Sequence, residues 1–124
     1  MVNQALLYSG SVLLTFWGVS HLIPTKSVVK RFGDISSDNE RIITMEWIIE
    51  GVSLIFIAVI VSSVTYIDYT GEISRKIYWI CFVMLNVLSV ISLLTGFKVG
   101  FPPFRLCPVI FTTTSILIFL ASYI

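Results

Sequence analysis

The sequence has few charged residues. It contains eight Lys or Arg and seven Asp or Glu, so 12% of its 124 residues are charged, while 56% are hydrophobic. An average soluble domain has about 25% charged residues. So few charges cannot cover the surface of a soluble monomer of this length. The net charge of +1 provides no basic face for phosphates, which excludes a nucleic-acid partner. The composition therefore indicates an integral membrane protein whose first partner is the lipid bilayer.

The sequence also lacks the common catalytic motifs. It contains no phosphate-binding loop, no HExxH and no GxSxG, and its single histidine excludes a His-rich metal centre. Cys81 and Cys107 do not form a CxxC pair, and we expect them near opposite ends of the membrane, which excludes an intramolecular disulfide. Whether the protein is an enzyme, and which cofactor it would use, stay open.

What the sequence does contain is four long apolar runs, at residues 5–23, 42–67, 77–97 and 107–124. A bilayer core of about 30 Å needs about 20 helical residues, and continuous apolar runs exclude the alternating strands of a barrel. The runs predict an all-α, four-helix transmembrane bundle that forms a single domain over residues 1–124. We expect the first run to be a retained span and not a signal peptide, because no Lys or Arg precedes Lys26.

The basic residues are unevenly distributed between the loops. Residues 24–41 contain four Lys or Arg and residues 98–106 contain two, whereas the other side of the membrane has only Arg75 and Lys76. Short loops rich in Lys and Arg stay in the cytoplasm. Six basic residues on one side and two on the other predict a multi-pass protein of the cell inner (cytoplasmic) membrane. Loops 24–41 and 98–106 are then in the cytoplasm, and both termini are outside. The same imbalance argues against a dual topology.

Local signals mark the first cytoplasmic loop. Apolar and basic residues alternate over residues 26–32, which predicts a short interfacial helix that ends at Gly33. Ser37 followed three residues later by Glu40 is a capping-box pattern. The second long helix is therefore predicted to begin before the membrane does.

Prolines and tryptophans mark other span ends. Pro102 and Pro103 predict an extended path before the fourth helix, and Pro108 fits the first turn of that helix. Trp47 and Trp79 are predicted at the inner and outer membrane interfaces, where an aromatic belt lies. These positions place the ends of the second, third and fourth spans.

One carboxylate lies inside an apolar run. Counting back about 20 residues from Ile67 puts the hydrocarbon edge near Ile48. Glu46 is then at the rim, and Glu50 lies about 6 Å deeper at 1.5 Å per residue. The two share a helix face at i and i+4, and Gly51 permits another helix to approach closely. Because ionisable residues within a span are expensive, Glu50 is the first candidate for a functional site.

Other polar residues are predicted at the same level. His21 lies near the end of the first span, Cys107 opens the fourth, and two arginines lie just outside. The candidates for binding a ligand or a proton are His21, Arg41, Glu46, Glu50, Arg105 and Cys107. No metal site is predicted outright, although His21, Glu46 and Glu50 have the donor types that hold iron, zinc or manganese.

Each of these candidates also has a structural interpretation. His21 can hydrogen-bond at the interface, and Glu46 can be solvated or paired with a nearby cation. Glu50 can be a neutral carboxylic acid that links helices by a hydrogen bond. Whether these side chains converge depends on helix rotation, which the sequence does not determine.

Two segments carry a family resemblance. Residues 18–24, GVSHLIP, and 50–61, EGVSLIFIAVIV, resemble the DoxX-like group of small four-helix membrane proteins. Its members often have His or Lys near the end of the first helix and a Glu–Gly pair in the second, as His21 and Glu50–Gly51 stand here. The segments EWIIEG and LCPVIF also resemble those of uncharacterised bacterial membrane proteins.

The resemblance implies a four-helix fold and no single activity. Some members of the group resemble quinone-linked thiol or sulfur oxidoreductase subunits. This chain has no redox-spaced cysteine pair, so thiol chemistry is not implied for it.

The sequence supports more than one function. The leading hypothesis is a cytoplasm-facing His/Glu pocket that binds a small ligand, quinone-like or cationic, or relays protons. The alternative is a non-catalytic accessory subunit of a larger membrane complex, and a homo-oligomer stays open. A small proton-coupled transporter ranks lower. The small multidrug transporters have four spans and one membrane glutamate, but theirs is in the first helix, which has none here.

Overall fold

A computed structural model describes residues 2–124, with side-chain surroundings from residue 3 onward. It has five helices: α1 (Val2–Leu22), α2 (Thr25–Lys30), α3 (Ser37–Asp68), α4 (Glu72–Thr95) and α5 (Pro102–Tyr123). The part of the chain described contains no strand, which confirms the all-α prediction. The four long helices are long and apolar enough to cross a membrane. The chain is a multi-pass membrane protein built as a helical bundle.

The third helix, α3, is longer than a bilayer core requires. Its 32 residues span about 48 Å at 1.5 Å per residue, against a core of about 30 Å. The predicted early start is therefore confirmed, but the predicted capping residue is wrong by one position. The N-cap is Ser36, whose extended backbone lets its hydroxyl oxygen accept the Asn39 N–H at 3.2 Å.

The last helix, α5, begins five residues before its predicted span. Pro102 and Pro103 lie in its first turn, where the missing N–H groups have no partner to lose. The predicted extended path at these prolines is therefore wrong. Pro108 lies inside the helix and not in its first turn. As a result the α4–α5 loop covers only residues 96–101, and Arg105 belongs to α5.

Helix α1 holds the bundle together. It packs against α3 on one side and α5 on the other, and α4 packs mainly on α5. Helices α3 and α4 are antiparallel across a short turn, but their contact is smaller than those of the other packed pairs of long helices. Fully buried side chains fill the centre, among them Leu7, Leu14, Leu54, Leu85, Phe111 and Ile118.

The predicted short helix between the first two spans is present as α2. It ends before Gly33, whose φ of +74° is readily adopted only by glycine. Val28 and Val29 are buried, and α2 contacts α3. Helix α2 therefore covers the end of the bundle at which α1 ends and α5 begins, which we call the His21 end. The Tyr78 end is the opposite one, at which α3 ends and α4 begins.

Candidate functional site

Two glycines bring α1 and α3 into backbone contact at the His21 end. A Cβ atom on Gly18 would lie 2.7 Å from the Gly51 carbonyl oxygen, and one on Gly51 would lie 2.9 Å from the Gly18 oxygen. A Cβ on Gly51 would also lie 3.0 Å from the Cβ of His21. The predicted close approach at Gly51 is confirmed. It places Glu50, the residue that precedes Gly51 on α3, beside the last turn of α1.

The His21 side chain is buried and held in one orientation. It is 2% exposed, and its ring stacks on Trp47 with centroids 4.4 Å apart. The backbone carbonyl of His21 accepts hydrogen bonds from the Trp47 indole and from the Thr25 hydroxyl. Its Nδ1 lies 2.8 Å from the Trp17 carbonyl oxygen. Because a carbonyl only accepts, Nδ1 carries the proton, and in the neutral ring Nε2 presents a lone pair.

Three helices bring a histidine, a carboxylate and a thiol together. His21 Nε2 lies 3.5 Å from Glu50 Oε1, and Cys107 Sγ lies 4.0 Å from the same oxygen. One donor atom from each of the three residues lies within 4.8 Å of the others. His21 and Cys107 are buried, whereas the Glu50 side chain is 36% exposed. We call these three side chains the His–Glu–Cys cluster.

The cluster is not closed by strong hydrogen bonds. At 3.5 Å the His21–Glu50 contact is an ion-pair distance and too long for a good hydrogen bond. His21 Nε2 has no hydrogen-bond partner among the described residues. Buried polar atoms nearly always have partners, so an unpaired nitrogen that faces a carboxylate and a thiol needs a physical explanation.

The other predicted site residues lie outside the cluster. Glu46, Arg41 and Arg105 are exposed, and within residues 2–124 none of them makes an ion pair. Arg105 instead donates from Nε to the Val99 carbonyl oxygen at 3.2 Å. Glu46 shares a helix face with Glu50 but lies one turn, about 6 Å, closer to the start of α3. The structure therefore does not bring together His21, Glu46 and Glu50, and Cys107 occupies the place that the sequence suggested for Glu46.

A cavity of about 310 Å³ lies beside His21. Aromatic and apolar side chains form most of its wall, with a few polar ones, and its lining is Trp17, Ser20, His21, Pro24, Ser27, Val28, Arg31, Trp47, Phe101 and Pro103. The volume is at the lower end of the range of about 300–1,000 Å³ for small-molecule sites. Helices α1, α2, α3 and α5 and the α4–α5 loop therefore enclose a space of ligand size.

Two polar side chains on the cavity wall, Trp17 and Arg31, are donors only. Trp17 is buried, and its indole N–H has no acceptor among the described residues. The Arg31 guanidinium lies over the Phe101 ring, 4.3 Å from its centroid. Neither indole nor guanidinium can accept a hydrogen bond. The wall contains no carboxylate, so its polar character favours a ligand with acceptor atoms.

Several of these residues were not predicted from the sequence as part of the site. Trp47 was predicted at the membrane interface but is 6% exposed, because it packs between His21 and Phe104. Arg31 and Phe101 are 70 residues apart in the chain, and no local pattern brings them together. Trp17 is one turn from His21, and that spacing alone was a usable signal.

Comparisons of this chain with protein-family models, with curated proteins and with solved structures find no match. The DoxX-like resemblance of residues 18–24 and 50–61 therefore stays a prediction.

Proposed function

We propose that this membrane protein binds a planar small molecule with acceptor oxygens, of the quinone class, in the cavity at the His21 end. The observation that carries the proposal is the buried Trp17 indole N–H, which has no acceptor among the described residues and belongs to a side chain that lines a ligand-sized cavity. A buried donor without a partner is unfavourable by about 1–3 kcal/mol, and a bound carbonyl oxygen removes that penalty.

The shape and chemistry of the wall support this ligand class. Trp17, Trp47 and Phe101 provide aromatic surfaces against which a flat ring can pack. The Arg31 guanidinium supplies a second donor at the same wall. A benzoquinone ring carries acceptor oxygens on opposite edges and no donor, which complements a wall with donors and no carboxylate. The DoxX-like resemblance agrees with this class, because some members of that group resemble quinone-linked oxidoreductase subunits.

The position in the membrane also supports a lipid-soluble ligand. The cavity lies at one end of helices that are long enough to span a bilayer. We place this end at the cytoplasmic face of the inner membrane, because the segments 24–41 and 98–106, which both lie at this end of the bundle, carry six of the eight basic residues. A C-terminal reporter that is active only outside the cytoplasm tests the orientation, and inactivity of that reporter would overturn it.

Calorimetric titration of the detergent-solubilised protein with a short-chain benzoquinone tests the proposal. We expect saturable binding that Trp17→Phe weakens by about 2- to 10-fold, equivalent to one hydrogen bond of about 0.5–1.5 kcal/mol. Arg31→Gln should weaken it similarly. The matched controls Trp79→Phe and Arg75→Gln, which lie at the Tyr78 end, should bind as the wild type does.

A second ligand separates hydrogen bonding from packing. A benzene derivative of the same size without the ring oxygens should bind to the wild type and to Trp17→Phe alike. Absence of saturable quinone binding, or equal weakening by Trp17→Phe and Trp79→Phe, would contradict the proposal.

A further inference from the structure

The proposed cavity ligand does not account for the His–Glu–Cys cluster. Its histidine nitrogen faces Glu50 and Cys107, and Glu50 and Cys107 do not line the cavity. We propose that His21 Nε2, a Glu50 carboxylate oxygen and Cys107 Sγ bind one divalent transition-metal ion of the zinc, iron or cobalt type. His21 also lines the cavity, but neither the Trp17 indole nor Arg31, which carry the proposed quinone-class binding, belongs to the metal-binding set.

The distances are close to those of a metal site. Donor atoms bound to one tetrahedral zinc lie about 3.3–3.8 Å apart, given Zn–N and Zn–O near 2.0–2.2 Å and Zn–S near 2.3 Å. The His21–Glu50 distance of 3.5 Å is within that range, and the Cys107–Glu50 distance of 4.0 Å is slightly longer. Since all three donor atoms lie within 4.8 Å, small side-chain rotations suffice to close the set.

The histidine has the second hydrogen bond that metal-binding histidines usually have. Its Nδ1–H donates to the Trp17 carbonyl oxygen at 2.8 Å, which directs the Nε2 lone pair to the cluster. Stacking on Trp47 fixes the plane of the ring. Nε2 is buried and has no hydrogen-bond partner among the described residues, so a metal ion would satisfy it.

The charges of the set favour a divalent ion. A carboxylate, a thiolate and a neutral imidazole together with a 2+ ion give a site of zero net charge, which is the least costly to bury. The Cys107 thiol would release its proton to solvent as the metal–sulfur bond forms. Within residues 2–124 the only ion-pair partner of Glu50 is His21, so no lysine or arginine occupies the place of the metal.

The donor types decide which metals fit. Calcium and magnesium prefer oxygen ligands only, whereas a mixed nitrogen, oxygen and sulfur set suits zinc and its first-row neighbours. Three protein ligands leave a fourth position open, as in metal sites that bind an exogenous ligand.

Titration of the metal-free full-length protein with Co²⁺, followed by absorption, tests this site. Bound Co²⁺ should show the d–d bands of a tetrahedral site together with a thiolate-to-cobalt charge-transfer band. Cys107→Ser should lose the charge-transfer band, and Glu50→Gln should weaken Co²⁺ binding by at least about tenfold.

Matched controls lie in the same chain. Cys81→Ser changes the other free, buried cysteine, and Glu46→Gln changes an exposed carboxylate one turn away on α3. Both should keep the full cobalt spectrum, and circular dichroism checks that every variant is folded. A wild-type spectrum without the sulfur band, or loss of that band in Cys81→Ser and not in Cys107→Ser, would overturn the proposal.

Discussion

Buried polar atoms have hydrogen-bond partners at the Tyr78 end of the bundle, whereas two of them lack partners at the His21 end. At the Tyr78 end, the Tyr78 and Thr65 hydroxyls are 3.0 Å apart, and Thr65 also donates to the Val61 carbonyl oxygen. Both residues are 1% exposed, and both hydroxyls have partners. At the His21 end, the Trp17 indole N–H and His21 Nε2 are equally enclosed and have none.

This difference distinguishes packing from binding. A buried polar pair whose members satisfy each other stabilises the fold, whereas buried groups without partners reduce stability unless a ligand completes them. Thr114 is the one other described residue with an unpaired buried side-chain polar atom, its hydroxyl oxygen, and it lies alone in α5, packed near Gly10. Within residues 2–124, only the His21 end combines unpaired atoms with a cavity and a set of metal-binding donors.

The largest expected effect comes from the glycine contact that builds the His21 end. Gly51→Ala places a Cβ 2.9 Å from the Gly18 oxygen and 3.0 Å from His21, so α1 and α3 must separate. We expect a loss of about 1–3 kcal/mol of unfolding free energy, measured by denaturant titration in mixed micelles, together with weaker Co²⁺ binding.

Gly10→Ala is the matched control for that substitution. Its Cβ would lie 3.5 Å from the nearest atom, Thr114 Cγ2, which is an ordinary contact. Alanine is also the better helix former, so Gly10→Ala should keep or raise stability by up to about 1 kcal/mol. Equal stability of Gly51→Ala and Gly10→Ala would show that the close approach is not needed.

A smaller loss is expected at the Tyr78 end. Tyr78→Phe removes one hydroxyl and leaves Thr65 bonded to the Val61 oxygen. The expected loss is about 0.5–1.5 kcal/mol of unfolding free energy, with no change in Co²⁺ or quinone binding. Tyr66→Phe, at a position that is 86% exposed, should change neither property. A Tyr78→Phe protein with altered ligand binding would break the proposed separation between the two ends.

The sequence predicted the helices better than the site. Long apolar runs and the spacing of charges define four spans, since both are local properties. The extended path predicted at Pro102 is wrong, because proline fits a loop and the first turn of a helix equally well. The convergence of His21, Glu50 and Cys107 depends on helix rotation, which the Gly18–Gly51 contact sets across 33 residues of chain.

The unfolding free energy of Glu50→Gln, after metal removal with a chelator, tests the central claim most directly. Glu50 makes no good hydrogen bond with His21 or Cys107, so the proposed metal site assigns its carboxylate to binding and not to folding. Glutamine has nearly the same shape, and we therefore predict a value within about 0.5 kcal/mol of the wild type or above it. A loss of more than about 1.5 kcal/mol would show that Glu50 holds the bundle together and would contradict the account.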